Sequence, residues 1–214
     1  MGEVTLTFDN GPEPDTTPEV LESLARRRVL ATFFVVGMKL ARPGRRALVE
    51  RTVAAGHWVG NHTYSHSAAL GTLPAGEVES QIERTQALLG ELAHPDRFFR
   101  PRGAEGGVID RQLLSRAALD LLERDRYTLV LWNAVPRDWE DPHRWVDTAL
   151  RLLAQVPRAV LVLHDLPTGA MQHLDAFLAR ALDLGARFVQ TFPLECTPIL
   201  RGVPQAPLDP YVSR

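Results

Sequence analysis

Short apolar runs alternate with amphipathic stretches from the first residues onward. Positions 4–8, 31–36, 57–60, 97–99, 128–132, 159–163 and 187–189 read as strands. Several are nearly continuous in apolar residues, as strands covered on both faces are. Between them the period lengthens. Leu174, Phe177, Leu178, Ala181 and Leu182 recur at i, i+3, i+4, i+7 and i+8, which is one apolar face of a helix. Thr17-Pro18 opens another helical stretch as N-cap and first-turn proline, and Asp141-Pro142 opens a third. Gly185 follows the stretch ending at Leu184 and fits a helix stop.

Seven strand–helix repeats define an α/β fold with a parallel sheet, either closed into a barrel or doubly wound. No linker or change of composition divides the repeats, so the expectation is a single domain over residues 1–192. Residues 193–214 form a proline-rich C-terminal tail (Pro193, Pro198, Pro204, Pro207, Pro210), expected to wrap the surface in extended form or to be disordered.

At 214 residues with 45% hydrophobic and 23% charged positions, the chain can bury a core of useful size. A formal net charge of −2 and a pI near 6.4 give no global basic field for nucleic acid or an anionic membrane. Lys39 is the only lysine. The single cysteine, Cys196, excludes an intramolecular disulfide framework and any multi-cysteine metal site. A bound metal would draw mainly on histidine and carboxylate. With no charged leader before an apolar stretch and no run long enough to span a bilayer, the expected location is cytoplasmic.

Parallel α/β folds gather chemistry at the carboxyl ends of their strands. Five strand ends here carry polar, ionisable groups: Asp9-Asn10-Gly11-Pro12, Asn61-His62-Thr63-Tyr64-Ser65-His66, Arg100-Pro101, Arg137-Asp138-Trp139 and His164-Asp165. Each has a bland reading alone. Asp9 can be a turn-former, His164 a satisfied core histidine, Arg100 a surface charge, Asp138 a helix cap. Their joint occurrence at successive strand ends is harder to dismiss. His62 and His66 have i, i+4 spacing, which on a helical turn sets two imidazoles side by side, able to grip one divalent ion.

These segments resemble the motifs of the polysaccharide deacetylases (the NodB-homology domain, carbohydrate esterase family 4). Thr7-Phe8-Asp9-Asn10-Gly11-Pro12 is similar to TFDDGP, and His62-Thr63-Tyr64-Ser65-His66 matches H-[ST]-x-x-H. Arg100-Pro101-Arg102-Gly103 resembles the third motif, Arg137-Asp138-Trp139 the end of the fourth, and Val162-Leu163-His164 the fifth. The resemblance implies a distorted (β/α) barrel of about seven parallel strands and a hydrolase of amide, not peptide, bonds. It further implies metal-dependent removal of an acetyl group from an N-acetylated, or O-acetylated, carbohydrate. On that pattern Asp9 is the general base, His164 the general acid, Arg100 the orienter of Asp9, and Asp138 the partner of His164. His62, His66 and the residue at position 10 hold the divalent metal, zinc first, with cobalt or nickel as substitutes. Pro12, Tyr64, Arg102, Gly103 and Trp139 fall at substrate-binding positions.

The main departure is Asn10, where the family pattern has a second aspartate. An amide oxygen can coordinate but brings no charge, so metal affinity should fall. Val135 stands where the fourth motif commonly begins with aspartate, and Arg102 brings a charge to the mouth of the cleft that could meet a phosphate or carboxylate. Two alternatives use the same residues: a hydrolase of cyclic amides or ureides, and a catalytically weak carbohydrate-binding member.

Overall fold

The computed structural model describes residues 1–213. All seven expected strands form: β1 (Glu3–Asp9), β2 (Thr32–Val35), β3 (Trp58–Asn61), β4 (Phe98–Phe99), β5 (Thr128–Leu129), β6 (Arg158–His164) and β7 (Arg187–Val189). The helices are α1 (Thr16–Arg27), α2 (Gly37–Leu40), α3 (Arg45–Ala54), α4 (Ala75–Leu89), α5 (Arg116–Arg124), α6 (Trp145–Gln155) and α7 (Leu174–Asp183). The result is an α/β fold with a distorted (β/α) barrel.

Parallel pairing runs β6–β1–β2–β3–β4–β5. Strand β1 is the hinge of the sheet. It pairs with β6 along its whole length, with β2 through Thr7–Asp9, and with β7 through Glu3–Thr5. Past β5 the barrel closes by a bridge between Ala134 and Leu161, with the Val162 N–H donating to the Ala134 carbonyl at 3.0 Å.

The expected strand 128–132 stops at Leu129 for a visible reason. Arg100 donates from Nε to the Val130 carbonyl at 3.2 Å and from Nη2 to that of Leu131 at 3.4 Å. A side chain thus takes acceptors that a ladder would otherwise use.

Helix α1 begins two residues earlier than the Thr17-Pro18 cap predicts, with Asp15 at the N-cap. The Thr17 hydroxyl is committed elsewhere, to Asp165. Helix α7 buries Leu174, Phe177, Leu178 and Ala181, the expected face, while Leu182 stays exposed. Gly185, at φ 80°, follows it. One hydrophobic layer packs β1, β2 and β6 against α1, α6 and α7, and a second packs β4 and β5 against α4 and α5. Each fully buried Leu or Phe stabilises such a layer by roughly 1.5–3 kcal/mol.

The segment after residue 192 adds two short strands, β8 (Ile199–Leu200) and β9 (Val203–Pro204), with β8 antiparallel to β5. Leu208, Tyr211 and Val212 pack against the second layer. Among the described residues no helix is long and apolar enough to cross a membrane.

Candidate active site

The carboxyl end of β1 delivers Asp9 into the barrel, where it is 4% exposed. Its Oδ1 accepts from Arg100 Nη1 at 2.9 Å. Arg100 is fully buried and its donors are spent inward: on Asp9, on the Thr7 hydroxyl at 2.7 Å, and on the Val130 and Leu131 carbonyls. Its guanidinium also lies over the Phe34 ring at 4.1 Å. Burial pulls the Arg100 pKa down, against the opposing pull of Asp9. One oxygen of the Asp9 carboxylate is thus held by a buried guanidinium that is itself anchored on three other acceptors.

The histidine segment follows β3, and it is a loop rather than the helical turn that the i, i+4 spacing implies. Thr63 and His66 take left-handed backbone conformations at φ 63° and 54°. Asn61 Oδ1 accepts from the Thr63 N–H at 3.0 Å, and Gln81 Oε1 on α4 accepts from the Tyr64 and Ser65 N–H groups at 3.0 and 2.8 Å. The two rings meet all the same, with centroids 4.6 Å apart. His62 Nδ1 donates to the Arg100 carbonyl at 2.7 Å, because a carbonyl can only accept. That leaves the Nε2 lone pair free, 3.6 Å from Asp9 Oδ2. Burial pushes the His62 pKa down to about 3. Burial, then the charge of His62, pushes His66 down to about 2. Both imidazoles are neutral at ordinary pH, as ligation requires.

Opposite, β6 ends at His164. Asp138 clamps this residue twice: Oδ1 accepts from Nδ1 and Oδ2 from the backbone N–H, each at 2.9 Å. Asp138 is fully buried. Burial works against the charged imidazole, but the hydrogen bond and charge of Asp138, helped by Asp9 and Asp165, outweigh it and raise the His164 pKa. Trp139 stands edge-on to the ring at 4.7 Å.

Between these groups lies a cavity of about 370 Å³ lined by Asp9, Asn10, His62, His66 and His164, with Trp132 and Trp139 as aromatic walls. Arg102 and Gly103 line the loop side. Trp132 Nε1 holds that loop by donating to the Gly107 carbonyl at 2.8 Å. Arg100 and Asp138 sit behind the residues they support. Pro12 lines a different, small apolar space, together with Asp165. Tyr64 lies outside the cavity lining, under the Arg84 guanidinium at 3.6 Å.

Among the described residues no group of three His, Cys, Asp or Glu could hold a metal ion. One further atom alters the picture. Asn10 Oδ1 is buried and has no hydrogen-bond partner, and Asn10 shares the cavity with both imidazoles. Its φ of 75° is one that Asn and Asp tolerate better than most residues. An orphaned amide oxygen and two neutral histidines suit a divalent cation, as a ligand set without formal charge.

The sequence places Asp165 at a strand end beside His164 but gives it no role of its own. It is buried, its Oδ1 has no partner, and Oδ2 accepts from the Thr17 hydroxyl at 2.5 Å. Burial raises its pKa to about 7. It packs so closely on the turn after β1 that a Cβ on Gly11 would fall 2.1 Å from a carboxylate oxygen. Its place one residue past His164 was the available signal.

The fold is an α/β barrel of the carbohydrate-esterase type, with these opposed pairs gathered at one cavity. The family model described as polysaccharide deacetylase matches residues 2–122, and the chain belongs to that family. A peptidoglycan-N-acetylglucosamine deacetylase of Bacillus cereus is 32% identical over 192 residues, covering 87% of this chain and 66% of that protein. A chitooligosaccharide deacetylase of Sinorhizobium fredii is 38% identical over 177 residues, covering 81% of this chain and 77% of the relative. Among solved structures, a family 4 carbohydrate esterase from Streptomyces lividans in complex with acetate superposes with a TM-score of 0.75 at 25% identity, covering 92% of this chain and 96% of that one.

Proposed function

We propose that this chain removes an acetyl group from an N-acetylated carbohydrate by metal-assisted hydrolysis. The observation that carries the reading is the facing of two buried, partnered groups, Asp9–Arg100 and His164–Asp138, across one cavity. The relatives named above as deacetylases of peptidoglycan N-acetylglucosamine and of chitooligosaccharides support the substrate class.

Asp9, held by Arg100, accepts the proton of the attacking water. As water adds to the acetyl carbonyl, negative charge grows on its oxygen. Among the described residues the backbone N–H groups of Arg102 and Gly103 donate to no other group, so they are free to meet that charge. His164 then gives its proton from Nε2 to the leaving nitrogen as the C–N bond breaks, and acetate and the free amine result. Asp138 keeps Nδ1 protonated so that Nε2 is the acid. Trp139 walls the acetyl methyl.

His62, His66 and Asn10 would hold the divalent ion, zinc, cobalt or nickel. Bound there, it would supply polarisation of the acetyl carbonyl and a lower pKa for the attacking water.

The test is acetate release from N-acetylglucosamine oligomers by protein loaded with each metal. Loss of release in both Asp9→Ala and His164→Ala is expected. Unchanged release in either variant sinks the acid–base assignment. The uncharged ligand set around Asn10 favours one second reading, a catalytically weak carbohydrate-binding member. Sugar binding without acetate release, with release restored by Asn10→Asp, would decide for it.

A further inference from the structure

We infer that Arg102 selects an N-acetylated sugar that also carries a negative charge, a carboxylate or a phosphate; the inference rests on the deacetylase reading for the acetyl group. Every other strong charge at the cavity is already partnered or turned to solvent. Asp9 is neutralised by Arg100 at 2.9 Å, and Glu140 pairs with Arg137 at 3.3 Å. Glu105 is exposed. Arg102 is half-buried, lines the cavity, and among the described residues makes no ion pair and no side-chain hydrogen bond. A half-buried guanidinium with five unused donors is a site built for a planar or tetrahedral anion.

Arg102 lines the same cavity as Asp9, His66 and His164. The loop cannot easily withdraw. Gly103 lies so close that a Cβ there would be 2.8 Å from the Trp132 ring, and Trp132 ties down Gly107.

Two further residues point the same way. Asn10 and Val135 both line this cavity, and both stand where the motif pattern has aspartate. With Arg102, three departures at one cavity each make it less negative. A neutral sugar gains nothing from that change, whereas an anionic one gains attraction and loses repulsion.

The experiment compares three substrates: a neutral N-acetylglucosamine oligomer, the same oligomer oxidised to a carboxylate at C6, and the same oligomer phosphorylated at C6. kcat and KM are measured for wild type, Arg102→Gln and Arg102→Lys. At least one charged oligomer should exceed the neutral one in kcat/KM by roughly tenfold. The preference should reside in KM, shrink at high salt, vanish in Arg102→Gln and survive in part in Arg102→Lys. Whichever charged oligomer wins tells carboxylate from phosphate. A charged-to-neutral ratio of one or less, or the same ratio in Arg102→Gln, overturns the inference while leaving deacetylation intact. Titration calorimetry with the same oligomers separates the two ideas. Without any acetate release the deacetylase reading fails, yet a charge preference in binding lost in Arg102→Gln upholds the anion site. Equal binding of all three overturns it.

Discussion

Arg100 Nη1 and Asp9 Oδ1 sit 2.9 Å apart at the centre of the barrel, and Arg100 is wholly shut off from solvent. Ninety-one residues of chain separate them. Such a pair is weak evidence of net stabilisation, but breaking it from one side strands a buried charge. Arg100→Met should therefore lower unfolding free energy by about 3–5 kcal/mol. Pairing it with Asp9→Asn should recover part of the loss. Urea unfolding of both variants checks this, and an unaffected Arg100→Met would show that Asp9 finds water instead.

The raised pKa of His164 has a direct consequence for rate. On the proposed mechanism the protonated form is the active one, so activity should fall as pH rises through that pKa. Asp138 is the largest influence holding the pKa up, against burial. Asp138→Asn should move the alkaline limb of the kcat profile to lower pH and reduce kcat by roughly 10²–10⁴-fold. A smaller kcat with an unmoved limb would mean that Asp138 only positions the ring.

At position 10 the expected change is in affinity. Asn10→Asp adds one negative charge to a set that has none, so zinc binding should tighten by roughly tenfold or more. Competition against a chromogenic chelator measures this without reference to activity. Equal affinity in the two proteins would remove Asn10 from the ligand set.

Asp165 should leave a mark on stability against pH. Its folded pKa of about 7 lies above the ordinary 3.8, so between those values the folded protein binds more protons than the unfolded chain. Its contribution is full below about pH 4 and is lost as pH rises through 7. Asp165→Asn, which cannot ionise, should escape that loss. The wild type should fall relative to the variant by a few kcal/mol between pH 4 and 7.5. Parallel denaturation curves at both pH values test the sign, and a constant difference would contradict it.

Local pattern carried most of the architecture. Apolar runs found every parallel strand because a strand buried on both faces leaves a continuous mark, and strand ends named Asp9, His62, His66, Arg100, Asp138 and His164, which the fold brings together at one cavity. Such one-dimensional cues follow from neighbours a few residues apart. They could not show that residues 130–131 give their carbonyls to Arg100, that the His62–His66 segment is a loop held by Gln81, or that Pro12 and Tyr64 are not among the residues lining the cavity. Those outcomes depend on groups that the chain brings together across tens of residues, where burial and hydrogen-bond satisfaction outweigh local spacing. The same holds for Asn10: composition marks it as uncharged, and only the packed barrel leaves its oxygen buried, unpartnered and in one cavity with two neutral imidazoles.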